Sequence, residues 1–329
     1  MKVLVVILNY RVTDLTIDCL WSLVPELPHV PGTKVALCEN GTGEDAEQRL
    51  RKVIADNGWG AWVELTAIYP NRGFTGGNNV IIRSALVSTD CPQYFLLLNA
   101  DTLVKPGALE ALVRFMDDHP EVGIAGSRLE WPDGSPQGSP FRFQGIATEL
   151  DRGLQLGMVS KLLSPWSVCI PTPRDACQVD WVAFAGTIIR RELIQAIGLL
   201  DEGLYTYYDD IDYCLRAKRA GWQTWFVPES RITHLEGAST GITATSPKRR
   251  PKYWFEARRR FFLKNHGSLY TALADAAFLS GFALWRLRRW IQRKPDTDPP
   301  HLLADSFLNS VFVTGFKVRQ VENPALREP

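Results

Sequence analysis

The sequence contains few cysteines and no pair of them in a metal-binding spacing. Its six cysteines are scattered along 329 residues, and none forms a C-x-x-C pair. Disulfide frameworks and zinc sites show regular cysteine spacings, which this chain does not have. We therefore expect reduced thiols in a cytoplasmic protein, and neither a disulfide framework nor a zinc site.

Long apolar runs are also lacking. The first apolar segment, residues 3–8, is short and is not followed by a cleavage region, so we expect no signal peptide. No uninterrupted apolar stretch reaches the roughly 18 residues of a membrane-spanning helix, so we expect none. The apolar content of 45% is enough for one large α/β domain with an appendage, or for two domains.

The chain as a whole lacks a strong net charge, but its charge is unevenly distributed. Residues 248–294 contain 13 Lys and Arg and two acidic residues, a net charge of +11, so the rest of this +1 chain carries −10. This distribution predicts an acidic body with a basic appendage. Because an acidic body disfavours a broad phosphate-binding surface, no nucleic-acid partner is expected.

Short apolar runs alternate with helical stretches along the chain, which indicates a layered α/β fold with parallel strands. The runs that predict buried strands are residues 3–8, 34–38, 62–68, 94–98, 122–125 and 224–227.

The fourth run leads into the segment that organises the predicted site. Residues 94–102 read Tyr-Phe-Leu-Leu-Leu-Asn-Ala-Asp-Thr, so Asp101 lies just past the carboxyl end of a strand. Ligands bind at that edge in open α/β sheets. A carboxylate there, next to the amide of Asn99, could hold a divalent cation against a substrate diphosphate. Capping of the next helix or turn is the alternative for Asp101.

Polar residues also follow the first three predicted strands. Asn9, Glu39 and Asn71 each come after a strand, so their loops should gather along one edge of the sheet. The loop at 71–79 has three glycines in five residues and precedes a predicted helix at 80–87. Such a loop lets the backbone approach a ligand, and N–H groups at a helix start can face an anion. An ordinary glycine-rich turn is the alternative.

Two features lie between the fifth strand and the acidic motif. Residues 132–178 are rich in Pro, Gly and Ser and are too long for a plain connection, so they predict a lid, an acceptor-side insertion or a partly disordered segment. Trp181 could stack on a sugar or base, although a core position is the more frequent outcome for such a residue.

Three acidic residues lie at the start of a predicted helix. Asp209, Asp210 and Asp212 are close to several aromatic residues, which would desolvate one carboxyl and raise its pKa, as a general base requires. Helix capping by Asp209 or Asp210 is the alternative. His234 follows the last predicted strand; a lone histidine is usually structural, but this one could complete a metal site with Asp101.

The basic appendage has an amphipathic pattern. Apolar residues at 269, 273, 276, 284, 287 and 291 share one face of a predicted helix, and arginines cluster at its end. Such a helix could lie on an anionic membrane surface. Packing on the body and a homodimer contact are the alternatives.

Taken together and in this order, the motifs resemble a known family. They are similar to those of family 2 nucleotide-sugar glycosyltransferases of the GT-A fold, particularly the rhamnosyltransferase-like branch. The resemblance covers residues 1–265 and implies a GT-A (Rossmann-like) α/β domain, with a mostly parallel central sheet flanked by helices and residues 132–178 as a lid or acceptor-side insertion. Residues 266–329 would form a C-terminal basic amphipathic helical region.

The resemblance implies an inverting glycosyltransferase. It would move a sugar such as L-rhamnose from a nucleoside-diphosphate donor to a hydroxyl of a glycan or lipid-linked saccharide in cell-surface polysaccharide synthesis. The enzyme would be cytoplasmic or peripheral on the cytoplasmic face of the membrane. A catalytically silent nucleotide-sugar-binding scaffold is the alternative.

The resemblance also implies residue roles. Asp210 would be the general base with Asp209 beside it, and Asp101 and His234 would bind Mn²⁺ or Mg²⁺. The family usually has Asp in place of Glu39, and an acid in place of Asn99, which leaves one carboxylate for the metal. The residues that would border a dTDP- or UDP-sugar are Asn9, Glu39, Asn40, Asn71, Arg72, Gly73, Gly76, Gly77, Asn78, Asn99, Asp101 and Trp181.

Overall fold

A computed structural model describes residues 1–235, 237 and 248–321. Within these ranges, a nine-stranded mixed sheet forms the central layer and helices flank it, so the predicted α/β architecture is confirmed. The strands are β1 (Val3–Asn9), β2 (Thr33–Glu39), β3 (Val63–Ala67), β4 (Tyr94–Asn99), β5 (Thr102–Val104), β6 (Val122–Glu130), β7 (Pro140–Phe141), β8 (Cys177–Val179), β9 (Trp181–Val182), β10 (Gly186–Arg190) and β11 (Gln223–His234). The helices are α1 (Thr13–Leu23), α2 (Glu44–Asp56), α3 (Gly73–Leu86), α4 (Ala108–Asp118), α5 (Ile146–Leu154), α6 (Gly157–Leu162), α7 (Arg191–Ile197), α8 (Asp209–Arg219), α9 (Lys252–Gln292), α10 (Leu302–Leu308) and α11 (Val311–Thr314).

The strand order across the main sheet is β3-β2-β1-β4-β10-β6-β11-β5, with β8 also paired to β11. The first four strands in this order run parallel to one another. β10 is antiparallel to both of its neighbours, and β11 is parallel to β6. The carboxyl ends of β1 to β4 therefore open on one edge of the sheet, as the alternating pattern predicted.

The unbroken apolar runs are explained by burial on both faces of the sheet. Along β1, Val3, Val5 and Ile7 face one hydrophobic cluster, whereas Leu4 and Val6 face the other. A strand that is covered on both sides has no polar face, which is why these runs do not alternate.

Several elements begin or end away from their predicted positions, and two of them bear on the site. α3 begins at Gly73 rather than near residue 80, so the predicted glycine-rich loop is the first part of a helix. Glycine is a poor helix former, but a Cβ on Gly77 would lie 2.9 Å from the Leu8 side chain, and packing against β1 outweighs propensity here. β11 continues to His234, because a bulge between Val227 and Arg231 carries the strand past Pro228.

The segment at 132–178 is folded against the C-terminal helix. It contains β7, α5 and α6 and the start of β8, and α5 packs closely on α9. Two glycines permit this approach, since a Cβ on Gly153 would lie 2.7 Å from the carbonyl oxygen of Phe278, and one on Gly281 would lie 3.0 Å from that of Leu150. The lid and acceptor-side roles of this segment stay predictions.

α9 crosses the predicted domain boundary at 265/266. It has a kink at Gly267, where φ is 81° and ψ is 179°. Before the kink, Phe261 and Phe262 are fully buried in the core of the body. After it, Phe278 and Trp285 join a small cluster with α10. The division into two domains stays a prediction, and residues 322–329 of the C-terminal region lie outside the described residues.

Basic side chains of α9 attach it to the body. Asp212 of α8 is fully buried and accepts hydrogen bonds from Lys264 and Asn265 of α9 as well as from Arg216. Lys264 and Arg260 also pair with Asp201, and together they hold its pKa well below the usual range. Much of the positive charge of this part of the appendage is therefore matched by acids of the body.

Among the described residues, one helix, Lys252–Gln292, is long and apolar enough to cross a membrane by length and composition. Our expectation of no membrane-spanning helix rested on the lack of an uninterrupted apolar run, and single charged residues do interrupt this helix, so that expectation stays a prediction. About a third of its most apolar stretch, 33%, is buried in the protein. A helix packed on a soluble body meets the same criterion, so length and composition leave both placements open.

The first prediction concerns Asp212. Asp212→Ala should lower the free energy of unfolding by roughly 1–3 kcal/mol, because it removes the buried carboxylate that accepts hydrogen bonds from Arg216, Lys264 and Asn265. The matched control is Asp90→Ala. Asp90 is about half exposed (51%) and pairs with Lys34 and the N-terminal amine, so its loss should have a much smaller effect. Urea unfolding measures both values; similar small losses would contradict the role of Asp212.

Candidate functional site

The predicted polar residues are brought together by the strand register. In the parallel pairing, Asn9 at the end of β1 lies opposite Glu39 of β2, and Leu8 lies opposite Asn99 of β4. β1 therefore lies between the two loops that follow β2 and β4. The three strand ends form one continuous polar edge, as the sequence predicted.

Glu39 forms hydrogen bonds within the protein at this edge. Its carboxylate is fully buried, and it accepts hydrogen bonds from the Asn9 side chain and from the backbone N–H groups of Thr42 and Gly43. Asn9 in turn accepts a hydrogen bond from Thr16 at 2.8 Å. The pair thus fixes the loop after β2; contact of Glu39 with a nucleotide stays a prediction.

Two buried asparagines shape the start of α3. The Asn40 side chain accepts a hydrogen bond from the N–H of Arg72 at 3.0 Å and donates one to the carbonyl oxygen of Gly73 at 3.0 Å. Asn71 accepts from the N–H of Gly73 at 2.6 Å. Gly76 and Gly77 lie in the first turns of this helix, where Gly77 packs against the Asn40 side chain. These contacts position the helix start and leave Arg72 at the exposed surface.

α3 also holds the segment that leads into the acidic motif. The Asn79 amide donates to the carbonyl oxygen of Leu200 at 2.9 Å and accepts from the N–H of Leu200 at 3.1 Å. The N–H of Phe74 donates to the carbonyl oxygen of Tyr205 at 2.9 Å. Asn78, which we placed in the donor site, bonds the carbonyl oxygen of Phe74 in its own helix. The glycine-rich helix and the acidic motif are therefore neighbours.

The sequence analysis did not single out Asn79. What distinguishes Asn79 from Asn78 is its hydrogen-bond partner, Leu200. Both are buried asparagines in one motif, and the sequence does not show which of them faces the segment at 199–205. The signal that could have found it is the helical spacing of the motif, once the start of α3 is known.

The acid pair, Asp209 and Asp210, comes directly after two residues whose backbone has an uncommon conformation. Tyr207 and Tyr208 have φ values of 68° and 63°, in the left-handed region that non-glycine residues rarely adopt. Such residues cost about 1–3 kcal/mol each and are frequent at functional sites. They turn the chain so that α8 begins directly at Asp209, with Asp210 next to it.

Burial raises the pKa of both acids. Burial raises the pKa of Asp210 to about 7, although the N–H of Ile211, 2.8 Å from its carboxylate, partly opposes the shift. Burial, reinforced by the negative charge of Asp210, raises the pKa of Asp209 well above its ordinary value. Asp210 therefore changes its charge near neutral pH. A carboxyl that titrates near pH 7 is suited to general base chemistry.

Asp101 and His234 meet at the end of β11. This strand is antiparallel to β5, so His234 lies opposite Thr102, and its Nε2 is 3.5 Å from Oδ1 of Asp101. Both side chains are mostly buried. One carboxylate and one imidazole suit Mn²⁺, and neighbouring ligand atoms of an octahedral ion lie roughly 3 Å apart. Within residues 1–235, 237 and 248–321, no group of three His, Cys, Asp or Glu could hold a metal ion.

Trp181 packs in the hydrophobic core of the protein. It is 8% exposed, its indole N–H donates to the carbonyl oxygen of Arg142 at 2.9 Å, and its ring stacks on Phe141 with centroids 4.1 Å apart. The structure therefore corrects the stacking role on a sugar or base that we predicted for Trp181. The side chain occupies the core position that was the alternative.

Gln137 lies next to His234, and the sequence analysis did not identify it as a site residue. It is 6% exposed and hydrogen-bonded to both the side chain and the backbone of His234. It lies in a segment whose composition suggested only a long loop, and neither periodicity nor spacing distinguishes it there. A buried amide in such a segment becomes visible only once the chain is folded.

Comparison with known proteins now identifies the family. A family model described as "Glycosyltransferase like family 2" matches residues 2–260. The chain belongs to this family. The resemblance drawn from the motifs is thereby confirmed, including its rhamnosyltransferase-like character, since both relatives described next are rhamnosyltransferases.

This glycosyltransferase is 26% identical over 302 residues to an N-acetylglucosaminyl-diphospho-decaprenol L-rhamnosyltransferase of Mycobacterium tuberculosis, and the match covers 87% of each chain. It is also 28% identical over 102 residues to a dTDP-rhamnosyl transferase of Shigella flexneri, a match that covers 29% of this chain and 33% of that one.

The glycosyltransferase is similar in structure to GalNAc-T7, which was crystallised with UDP, GalNAc and Mn²⁺. The TM-score is 0.61 at 16% identity, and the match covers 89% of this chain and 54% of the other, so this chain spans about half of that structure. At this identity the similarity demonstrates the fold alone, and it confirms the GT-A fold.

Proposed function

We propose that this glycosyltransferase is an inverting, metal-dependent enzyme that transfers a sugar from a nucleoside-diphosphate donor to a hydroxyl group of a saccharide acceptor. The acid pair at the start of α8 carries the proposal, because burial raises the pKa of Asp210 to about 7. A helix-capping aspartate has no need of such a pKa, whereas a general base does. The pair also lies on a segment that packs against the glycine-rich start of α3.

Asp210 would take the proton of the acceptor hydroxyl as that oxygen attacks the anomeric carbon. Attack from the side opposite the leaving diphosphate inverts the configuration of that carbon, so no covalent sugar intermediate is needed. Asp209, whose pKa is raised by burial and by the negative charge of Asp210, would support the base as its neighbour. This arrangement disfavours a catalytically silent scaffold, for which an acid pair with raised pKa values would have no use.

Asp101 and His234 would hold the metal ion, Mn²⁺ or Mg²⁺, against the donor diphosphate. When bound, the ion neutralises the charge that develops on the leaving nucleoside diphosphate. With one carboxylate and one imidazole, the protein would leave most ligand positions to the donor and water. Metal binding should therefore be weak without the nucleotide and tighter with it.

For the donor and acceptor we rely on the relatives. One is named for dTDP-rhamnosyl transfer and the other for transfer of L-rhamnose to a sugar on decaprenyl diphosphate. By analogy, we propose dTDP-L-rhamnose as the first donor to test, with a UDP-sugar second. The proposed acceptor is a lipid-linked saccharide in cell-surface polysaccharide synthesis.

A lipid-linked acceptor requires the enzyme to work at the cytoplasmic face of a membrane, and we propose that α9 provides the contact. Its outer face exposes Leu269, Leu273, Leu284, Leu287 and Ile291, which are between 48% and 76% exposed. Many of its basic residues are already paired, such as Arg286 and Arg289 with Asp296. The contact would therefore depend more on apolar insertion than on attraction to anionic lipids.

The first test is a donor panel. Protein incubated with Mn²⁺, a saccharide acceptor and a set of dTDP- and UDP-sugars should release nucleoside diphosphate from one donor at least about tenfold faster than from the others. Asp101→Ala should abolish Mn²⁺-dependent binding of that donor in calorimetry, whereas the exposed Asp56→Ala should bind normally. If Asp101→Ala bound the donor with the same Mn²⁺-dependent affinity as the wild type, Asp101 would not be a metal ligand. If no donor were turned over, the alternative of a catalytically silent scaffold would be favoured.

The second test concerns the pH dependence of transfer. Because the pKa of Asp210 is about 7 and the base acts when deprotonated, kcat/KM should fall about tenfold per pH unit below pH 7 and be constant above it. Asp210→Asn should lower turnover by roughly 10² to 10⁴ and abolish this dependence. Asp209→Asn leaves the proposed base in place, so it should retain most of the activity.

Steady-state kinetics between about pH 5 and 9 and donor titration on each variant decide the assignment. If Asp209→Asn were inactive and Asp210→Asn nearly normal, the base would be Asp209. If donor affinity collapsed together with turnover in Asp210→Asn, that residue would be a binding or structural residue.

The third test addresses the membrane contact. Replacing Leu273, Leu284 and Leu287 with Gln should reduce flotation with phosphatidylglycerol vesicles by at least about tenfold, since a buried leucine contributes roughly 1.5–3 kcal/mol. The control is Val87→Gln, because Val87 is 84% exposed beside α3 in the body. Unchanged flotation of the triple variant would contradict the proposal. Complete loss of wild-type binding at about 0.5 M salt would instead indicate electrostatic attraction.

A further inference from the structure

Gln137 holds His234 by two hydrogen bonds. Its Nε2 donates to the backbone carbonyl oxygen of His234 at 2.7 Å, and its Oε1 lies 3.0 Å from Nδ1 of the same residue. One side-chain amide therefore contacts both the main chain and the ring of the residue that we assign to the metal.

The two contacts determine which ring nitrogen carries the proton. A backbone carbonyl can only accept a hydrogen bond, so the NH₂ group of Gln137 must face it, and Oε1 must face the ring. Since Oε1 is itself only an acceptor, Nδ1 of His234 must be the donor. In the neutral ring, Nε2 then carries the lone pair.

That lone pair is directed at the proposed metal site. Nε2 of His234 lies 3.5 Å from Oδ1 of Asp101 and 3.4 Å from the amide nitrogen of Asn99. Asn99 can donate to a lone pair at that position, so its contact is compatible with the same tautomer. Only a nitrogen without a proton can bind a metal ion.

Gln137 is itself held in place by a short turn after β6. Its N–H donates to the carbonyl oxygen of Leu129 at 2.8 Å, and the N–H of Trp131 donates to the carbonyl oxygen of Ser135 at 2.8 Å. Next to this turn, the buried carboxylate of Glu130 accepts from Arg231 of β11 at 2.9 Å. The amide is therefore fixed relative to the strand that carries His234.

We infer that Gln137 is a positioning residue that keeps His234 in the Nδ1–H tautomer with Nε2 directed at Asp101, ready to bind a divalent cation. The part of this inference that concerns the cation rests on the proposed function. Hydrogen bonds of this kind to a metal ligand are typically worth 10- to 100-fold in metal affinity. The beginning of the segment at 132–178 thus belongs to the metal site.

The tautomer can be measured without any metal. The protein has five histidines, so ¹⁵N-labelled imidazole spectra can be assigned by comparison with His234→Ala. At about pH 8.5, where an ordinary imidazole is neutral, wild-type His234 should show a protonated Nδ1. Gln137→Met should lose this signature and show mainly protonated Nε2, because it offers no acceptor oxygen to Nδ1–H. An Nε2–H tautomer in the wild type, or no change in Gln137→Met, would overturn the inference.

Metal affinity is measured on the same variants by titration with Mn²⁺, alone and with dTDP, following free Mn²⁺ by electron paramagnetic resonance. Gln137→Met should bind Mn²⁺ about 10- to 100-fold more weakly than the wild type. The exposed Gln178→Met on β8 is the matched control and should bind normally. Thermal melts establish that each variant is folded.

The outcomes separate the inference from the proposed function. If the wild type binds Mn²⁺ and Gln137→Met binds it equally well after losing the tautomer, the metal role of Gln137 is wrong. If the wild type binds no Mn²⁺ even with dTDP, the proposed metal dependence fails and the cation part of the inference fails with it. The tautomer measurement still decides whether Gln137 orients His234.

Discussion

The parallel register of β1 with β2 and β4 is the constraint on which the site depends. It sets Asn9 opposite Glu39 and brings the ends of β2 and β4 to either side of β1. A shift of one residue would move every side chain of a strand to the other face, and these strands are covered on both faces. The apolar runs therefore fix where the polar strand ends emerge, and the residues that we propose for the metal and the donor are arranged around that edge.

Many polar residues at this edge hold loops in place instead of pointing into open space. Asn40 and Asn79 have amides whose donor and acceptor atoms are both used by the backbone of neighbouring segments. A buried amide without partners would be costly, and a buried amide with all its partners makes the local structure rigid. Such rigidity suits a site in which one helix start, one acid pair and one histidine must keep fixed positions. Gln137 applies the same chemistry to His234.

The uneven charge distribution has a structural explanation within the protein. Arg260 of α9 forms an ion pair with Asp201 of the body, and Lys264 forms one with Asp212. Arg258 pairs with both Glu149 and Asp275. Buried pairs of this type add little net stability compared with apolar packing, but removing one partner is costly. They therefore specify where α9 lies. Since Asp212 belongs to the same helix as the acid pair, the C-terminal helix and the proposed catalytic base are mechanically connected.

Sequence alone determined the α/β class, most strand positions, the edge where polar residues collect and the acidic body with its basic appendage. These follow from local properties, namely apolar runs, their lengths and the charges between them. Only the tertiary structure decided that α3 begins within the glycine-rich segment, that β10 runs antiparallel and that Trp181 packs in the core. It also decided that the basic residues of α9 are largely paired and that Gln137 reaches His234. Each of these depends on contacts between residues far apart in the chain, and such contacts leave no periodic signal in the sequence because one side chain, not a repeating pattern, makes each of them.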